Sequence, residues 1–577
     1  MYTYIYILTT PPARRSFAML KEGSVKEAVV LGPDGREEEE ATRNGLVASG
    51  LVCSAKVAEP PNLVLGPIIG KVTSASAIIL VEVDGGGCGV KITVNCVLVG
   101  HTVVVEEEFV RGGRPESFLI SGLKSNCVYT VCVEGPGGGG GEGVVLGHFC
   151  TMPLNPCAVK FAVVNGNKIN SKEEEGAGGM VGGSLMGPGA SGSTKPNLWD
   201  WVARDLDRDM SPSSPDFILH LGAQVDVKQA YDESRLLLDR FRKANPKPAV
   251  LPPDLHERMR EVFRQVYRVS WGRIPNVKKV LSGVSNIMVC GISDIMGTII
   301  RQSQLEFDPE IAAVGLQVAR EYQMKLWDVE ADVSCEDEVE NLAELTSTKK
   351  DNLISSLGHF HRFGRVGVLC IDTLSSSLFA TSRNVLPPLI SAGQLQWLTR
   401  VIGESEEEEE AHRDFMFKRD QDIAVEGMKE RRMKHDESDL SDWKGVGEEY
   451  GGKLLPKMHS LVVSCEQAVV WYRNEDAKKF VSDPRRVGNG SAVVIKNSFS
   501  YHVEDCGKLL SLLFAWKQKY PGRDVLIVCG SCGMGSFNTE ITDVTTGLKI
   551  RQWAVSGVTT APKFSFDCEL QGTVGSR

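Results

Sequence analysis

The 577-residue sequence lacks the features that mark several large classes of protein. No apolar run approaches the ~18–20 residues that a membrane-spanning helix needs. The charge balance carries no basic excess: 64 Lys and Arg stand against 74 Asp and Glu, for a net charge of −10. No Lys/Arg stripe interrupts it, and a chain that neutralises nucleic-acid phosphates is normally basic. Nucleic-acid binding is therefore not expected. The apolar opening Met1 to Thr10 has no basic residue before it, and Arg14 and Arg15 follow it, the reverse of a secretory leader. Metal-type cysteine spacing is also missing. Cys529 and Cys532 form the sole C-x-x-C among fifteen cysteines, without the second pair or close histidines that a zinc site requires. Free buried thiols in a reducing compartment are the plain reading, and the sequence predicts a soluble, cytoplasmic protein.

What is present is globular. A hydrophobic fraction of 42% and a charged fraction of 24% are ordinary for a packed protein, and the length suggests two or three domains. Residues 1–60, with the Glu37–Glu40 run, read as a poorly ordered N-terminal extension. In 61–153, Val90 to Cys96 alternates apolar and polar residues as a half-buried strand does. Ala77–Val83 and Cys127–Val133 read as further strands between Gly-rich turns, interrupted by the Gly137–Gly141 run. Ser121-Gly122-Leu123 followed by Tyr129 is similar to the tyrosine corner of fibronectin-type sandwiches.

Across 157–577 the texture changes to short apolar strands alternating with helical stretches. The strands are Ala158–Val164, Phe217–Leu221, Ile287–Cys290, Val366–Ile371, Leu461–Cys465 and Val525–Cys529. Uniformly apolar strands are buried on both faces, which predicts an α/β layered core flanked by helices. Residues 171–195, 328–350 and 404–452 read as flexible surface insertions, being too polar to order themselves.

Catalytic groups in such folds sit where strands end in short turns, and phosphoester hydrolysis there usually needs two metal ions held by Asp, His and Asn. Five stretches carry a resemblance on this point. They are Gly66-Pro67-Ile68-Ile69-Gly70-Lys71-Val72-Thr73; Leu198-Trp199-Asp200; Phe217-Ile218-Leu219-His220-Leu221-Gly222; Gly393-Gln394-Leu395-Gln396-Trp397-Leu398; and Ile550 to Thr559. In this order they resemble the PhoD-like phosphatases of the calcineurin-like metallophosphoesterase superfamily, over about 62–577. The resemblance implies a fibronectin-like β-sandwich followed by a layered β-sandwich metallophosphoesterase domain flanked by helices.

The ligand positions of that family are not kept. Where its first strand is followed by a metal-binding residue, this chain has Asn165-Gly166-Asn167. The bridging Asp of its Gly-Asp-Gln-Val motif matches Ala223, and a methyl group cannot ligate a cation. Its Asp-Asp-His-Asp motif matches Gly291-Ile292-Ser293-Asp294, and its Gly-Asp-Val-His motif matches Gly530-Ser531-Cys532-Gly533. Without ligands the cation is lost, and with it the activated water. The resemblance thus implies a catalytically inactive relative, a pseudophosphatase acting as a binding or interaction module with no cofactor. Its protein partner, unknown, would be reached through the charged 404–452 insertion.

The alternative is an active phosphomonoesterase or phosphodiesterase of the alkaline phosphatase D type, with Fe, Ca, Zn or Mn on non-standard ligands. His359 and His361, alternate residues of a strand, are one weak metal pair for it, with a surface or packing role as the plainer reading. Asn167, Asp226 and Asp294 are the residual polar candidates; solvated or capping acids are the plainer reading of the last two. His220 lies within an apolar strand, as a hydrogen-bonded core histidine does. The Gly530–Ser536 loop lacks the Lys-Ser/Thr ending of a phosphate-cradling P-loop.

Overall fold

The computed structural model describes residues 3–8, 63–134, 145–166, 199–206, 215–245, 251–297, 308–329, 357–374, 388–402, 458–469, 499–530, 537–555 and 570–574, apart from a few single positions. The three expected insertions lie almost wholly outside the described residues, as do Asn167, Ser531, Cys532 and Gly533.

Within the N-terminal extension, β1 (Thr3–Leu8) pairs antiparallel with Ala158–Val164. Thr-Tyr-Ile-Tyr-Ile-Leu is rich in β-branched and aromatic residues, which suit a pleated surface.

Seven strands follow: β2 (Leu63–Val72), β3 (Ser76–Val83), β4 (Cys88–Cys96), β5 (His101–Val110), β6 (Pro115–Ser121), β7 (Val128–Glu134) and β8 (Val145–Cys150). They form two antiparallel sheets, β2-β3-β6 and β5-β4-β7-β8. Period-two alternation turns Val90, Ile92 and Val94 of β4 and Tyr129, Val131 and Val133 of β7 into one buried cluster with Ile79 and Val81 of β3. Tyr129 accepts a hydrogen bond at its hydroxyl from the Lys124 backbone N–H (2.8 Å), the corner geometry that its spacing suggests.

The rest of the chain runs β9 (Ala158–Val164), β10 (Phe217–Leu221), α1 (Lys228–Ala244), α2 (Pro253–Tyr267), α3 (Pro275–Gly283), β11 (Ser285–Val289), α4 (Ile292–Ile295), α5 (Pro309–Tyr322), β12 (His359–Phe363), β13 (Val366–Cys370), α6 (Ala392–Ile402), β14 (Ser460–Cys465), α7 (Val503–Lys519), β15 (Asp524–Gly530), β16 (Phe537–Asp543), β17 (Lys549–Val555) and β18 (Leu570–Val574). One sheet has the order β1-β9-β10-β11, the other β12-β13-β14-β15-β17-β16-β18. Neighbours are parallel through β9-β10-β11 and through β13-β14-β15-β17.

Alternate residues of both sheets share one apolar cluster: Phe161, Phe217 and Ile287 from the first meet Val366, Val462 and Val528 from the second. The opposite faces pack on helices. Ala162, Ile218 and Met288 meet α1, α2, α3 and α5, whereas Leu461, Ile527 and Cys529 meet α6 and α7. Each Val, Leu, Ile, Phe or Met among them contributes ~1.5–3 kcal/mol on full burial. Pro253 opens α2, where its missing N–H costs nothing, and Leu255, Met259, Phe263 and Tyr267 line its buried face at four-residue spacing.

The sandwich is bound to the helices through a buried ionic seam. Glu82 of β3 accepts from Arg268 Nε (2.8 Å) and from the Tyr322 hydroxyl (2.7 Å). Arg268 also donates to Glu261 and to the Gly113 carbonyl (3.0 Å). Arg264 beside it makes a two-pronged contact with Glu321, at 2.6 and 2.7 Å. Asn286 of β11 donates to the Ile69 carbonyl of β2 (2.9 Å), a second, uncharged tie.

Candidate functional site

Parallel strands present the residues after their C-terminal ends on one side of a sheet. Here the two sheets bring those ends together. Gly166, after β9, donates its N–H to the Gly222 carbonyl after β10 (3.3 Å). Gly291, after β11, is so close to that turn that a side chain on it would stand 2.6 Å from the Ala223 nitrogen. From the second sheet, Glu466 follows β14 and accepts at Oε1 from the Ile292 N–H (2.9 Å), crossing to the first. Gly530 donates to the Glu466 carbonyl (3.1 Å), and Asn165 Nδ2 donates to the Val555 carbonyl at the end of β17 (2.8 Å).

Asn165, Gly166, Ala223 and Ile292 thus lie in the turns gathered around Glu466, whereas Ser293 accepts at its carbonyl from the Val227 N–H (3.1 Å). Ser531 and Gly533, one and three residues beyond Gly530, are outside the described residues. The packing at this centre is backbone against backbone. A side chain at Gly222 would meet Gly291 Cα at 3.1 Å, and one at Gly530 would meet the Glu466 carbonyl oxygen at 2.5 Å. Ala223 has φ of 53°, a left-handed conformation in which Asn and Asp are several times commoner than alanine.

The two acids separate. Asp294 is fully buried in α4, and its carboxylate accepts from the N–H groups of Val225 (2.9 Å) and Gly291 (2.8 Å). Desolvation pushes it up to about 7, against the downward pull of these hydrogen bonds. It ties the turn after β10 to the turn after β11. Asp226, half-buried, accepts from the Lys228 N–H (3.1 Å) where α1 begins.

His359 and His361 are not surface groups; both are buried on β12. The Met288 carbonyl can accept but not donate, so His359 gives it the Nε2 proton (2.9 Å) and accepts at Nδ1 from His361 Nε2 (2.7 Å). Trp327 stacks on His359 with ring centroids 3.8 Å apart. Burial depresses His359 to about 4 and His361 well below its usual range, so both are neutral at pH 7. His220 is likewise buried, bonded to Asn286 (2.9 Å) and depressed to about 4 by desolvation.

Sequence reasoning missed Glu466 and Asp372, although each stands within two residues of the end of an apolar strand. Glu466 comes directly after β14, and Asp372 two residues after β13. Asp294, Asp372 and Glu466 all lie near the Cys290 thiol, which burial first and these acids next push far up. Asp372 is clamped by Gln394 of α6: its N–H donates to Gln394 Oε1 (2.8 Å) and its carbonyl accepts from Gln394 Nε2 (2.7 Å). Among the described residues, no three His, Cys, Asp or Glu side chains are grouped so as to hold a metal ion. No helix among them is long and apolar enough to cross a membrane.

No family model matches this chain, and no curated protein matches it. Among solved structures it is similar to the structure of PhoD, with a TM-score of 0.50 and 11% identity, over 88% of this chain and 79% of that one. The fibronectin type III domain of human collagen alpha-1(XX) aligns with 18% of this chain and 91% of its own length, at 22% identity and a TM-score of 0.15. The second likeness is too slight to argue from, and the first concerns the backbone alone. The chain has a PhoD-like fold.

Proposed function

We propose that this protein is a metallophosphatase fold without a hydrolytic centre, acting as a binding or interaction module. In this reading, the two sheets around their shared apolar cluster are the layered core of that fold. The seven strands before them are its fibronectin-like sandwich. One observation carries the reading: among the described residues where the core strands end together, the side chains are an amide, a methyl and glycines, and the carboxylates Glu466 and Asp294 are taken up by backbone N–H groups. Asn165 spends its amide on Val555 and Glu466 spends Oε1 on Ile292. A two-metal centre needs several oxygen or nitrogen donors facing one space, and these residues do not fit one.

That Glu466 and Asp294 bind the N–H groups of the adjacent residues Ile292 and Gly291 (2.9 and 2.8 Å) is the observation that favours the rival reading, an ester hydrolase with unusual ligands. Titration of the full chain with manganese, iron, zinc and calcium ions, followed by assay on a generic aryl phosphate mono- and diester, separates the two. The expected result is no stoichiometric metal and turnover at the rate of buffer. Stoichiometric metal with turnover, both abolished by Glu466→Gln, would establish the enzyme instead. The charged 404–452 stretch remains the proposed route to a protein partner.

A further inference from the structure

The sandwich has two unlike sides. On one, β2 and β8 lie against the body of the molecule: a side chain on Gly147 of β8 would stand 2.6 Å from the Ser282 carbonyl of α3, and Ser285 Oγ donates to the Gly70 carbonyl (2.8 Å). On the other, the ten-residue β5 is bonded to β4 along one flank and ends its sheet at the other. An edge strand of this length offers a row of backbone donors and acceptors to any extended chain that reaches it.

Three features set this edge apart. Five of the nine exposed large apolar side chains among the described residues fall on or beside it: Leu98, Val99, Val104, Phe109 and, on neighbouring β6, Leu119. Phe109 is 68% exposed. Next, Glu106, Glu107 and Glu108 are consecutive, exposed, and without an ion pair to any described residue. Last, the cation nearest in register is taken. Lys91 stands opposite Glu106 but pairs with Glu134 of β7 at 3.3 Å.

We propose that the β5 edge docks an extended segment of a partner protein in which a run of Lys or Arg adjoins a run of Val, Ile or Phe. The backbone would extend the β5-β4-β7-β8 sheet, the apolar run lying beside Val103–Val105 and the cationic run beside Glu106–Glu108. A second copy of this chain is a poor occupant. β5 carries no Lys or Arg, so pairing β5 with β5 leaves all six glutamates without a positive partner. The surface lies on the sandwich, apart from the strand-end cluster, so it holds whether or not that cluster proves catalytic.

The test uses the full chain and a labelled, end-capped octapeptide of four Lys followed by four Val, the order that antiparallel pairing with β5 requires, read by fluorescence anisotropy at physiological salt. The control has the same composition with Lys and Val alternating. The block peptide is expected to bind at least about tenfold tighter than the alternating one, because only it can set its cations beside Glu106–Glu108 and its methyls beside Val103–Val105. Bound peptide should slow amide hydrogen exchange within residues 101–110. The combined Glu106→Lys, Glu107→Lys, Glu108→Lys variant should lose about tenfold or more and turn toward a Glu-Val peptide. The milder Glu→Gln triple, checked for unchanged melting, guards against a folding artefact. Equal binding of both cationic peptides, protection confined elsewhere, or no binding because the edge is already covered or merely guarded by its glutamates, each overturns the proposal.

Discussion

Asp294 at the strand ends and Glu82 at the seam are both fully buried carboxylates, yet they are stabilised by different means. Backbone N–H groups of two turns hold Asp294, whereas Glu82 has a guanidinium and a phenol. Desolvation raises both, and at Glu82 the contacts with Arg268 and Tyr322 work against that rise. The difference teaches what each acid does. Dipoles fix the shape of a loop without supplying a charge, so Asp294 organises its own neighbourhood. A counter-ion from a distant segment joins two parts of the chain, so Glu82 welds the sandwich to the helices.

Removing the counter-ion is the harshest way to break this comparison. Arg268→Ala leaves Glu82 buried without its cation and should cost about 3–5 kcal/mol in urea denaturation, the usual penalty for half of a buried pair. A loss below about 1 kcal/mol would mean that water or Tyr322 suffices. Changing Glu82 and Arg268 together to apolar residues should cost less than Arg268→Ala alone.

The second prediction concerns pH. The folded-state value of Asp294, about 7, lies above its ordinary 3.8, so the folded protein holds an extra proton between them. Its contribution to stability is therefore greatest below pH 4 and is lost as pH rises to 7, by an amount on the order of 4 kcal/mol. The difference in unfolding free energy between wild type and Asp294→Asn should change over that window and be flat above pH 8. A difference independent of pH from 4 to 8 would show that Asp294 titrates normally.

The smallest effect is expected at Ala223. Replacement by Gly removes the left-handed strain but adds freedom to the unfolded chain, so stability should change by under about 1 kcal/mol and in the favourable direction. A loss beyond that figure would mean that the methyl group is packed rather than merely tolerated.

Much of the strand framework was legible because period-two and continuous apolar patterns are local. Ala158–Val164 and Phe217–Leu221 have the bounds their sequences suggest. The β5 strand was not read, since its Glu106–Glu108 run breaks the alternation and its order comes from pairing with β4. Seam and strand-end contacts were illegible for another reason. Glu82 and Arg268 are 186 residues apart, and Ile292 and Glu466 are 174 apart. No local pattern announces a partner at that separation. The acids following β13 and β14 did carry a signal, a carboxylate placed at the close of a buried strand, and it went unused.

The clamp of Gln394 on Asp372 is made of neutral groups, so neither protons nor salt can weaken it directly. The Glu82–Arg268 seam is made of charges, but burial holds Glu82 above its ordinary range, so the folded protein takes up that proton more readily than the unfolded chain and acid does not release the seam. Salt reaches its exposed arm, Arg268 with Glu261, and should loosen the sandwich before it loosens the sixth helix. Hydrogen exchange at rising ionic strength, compared between residues 76–83 and 392–402, reads that order directly.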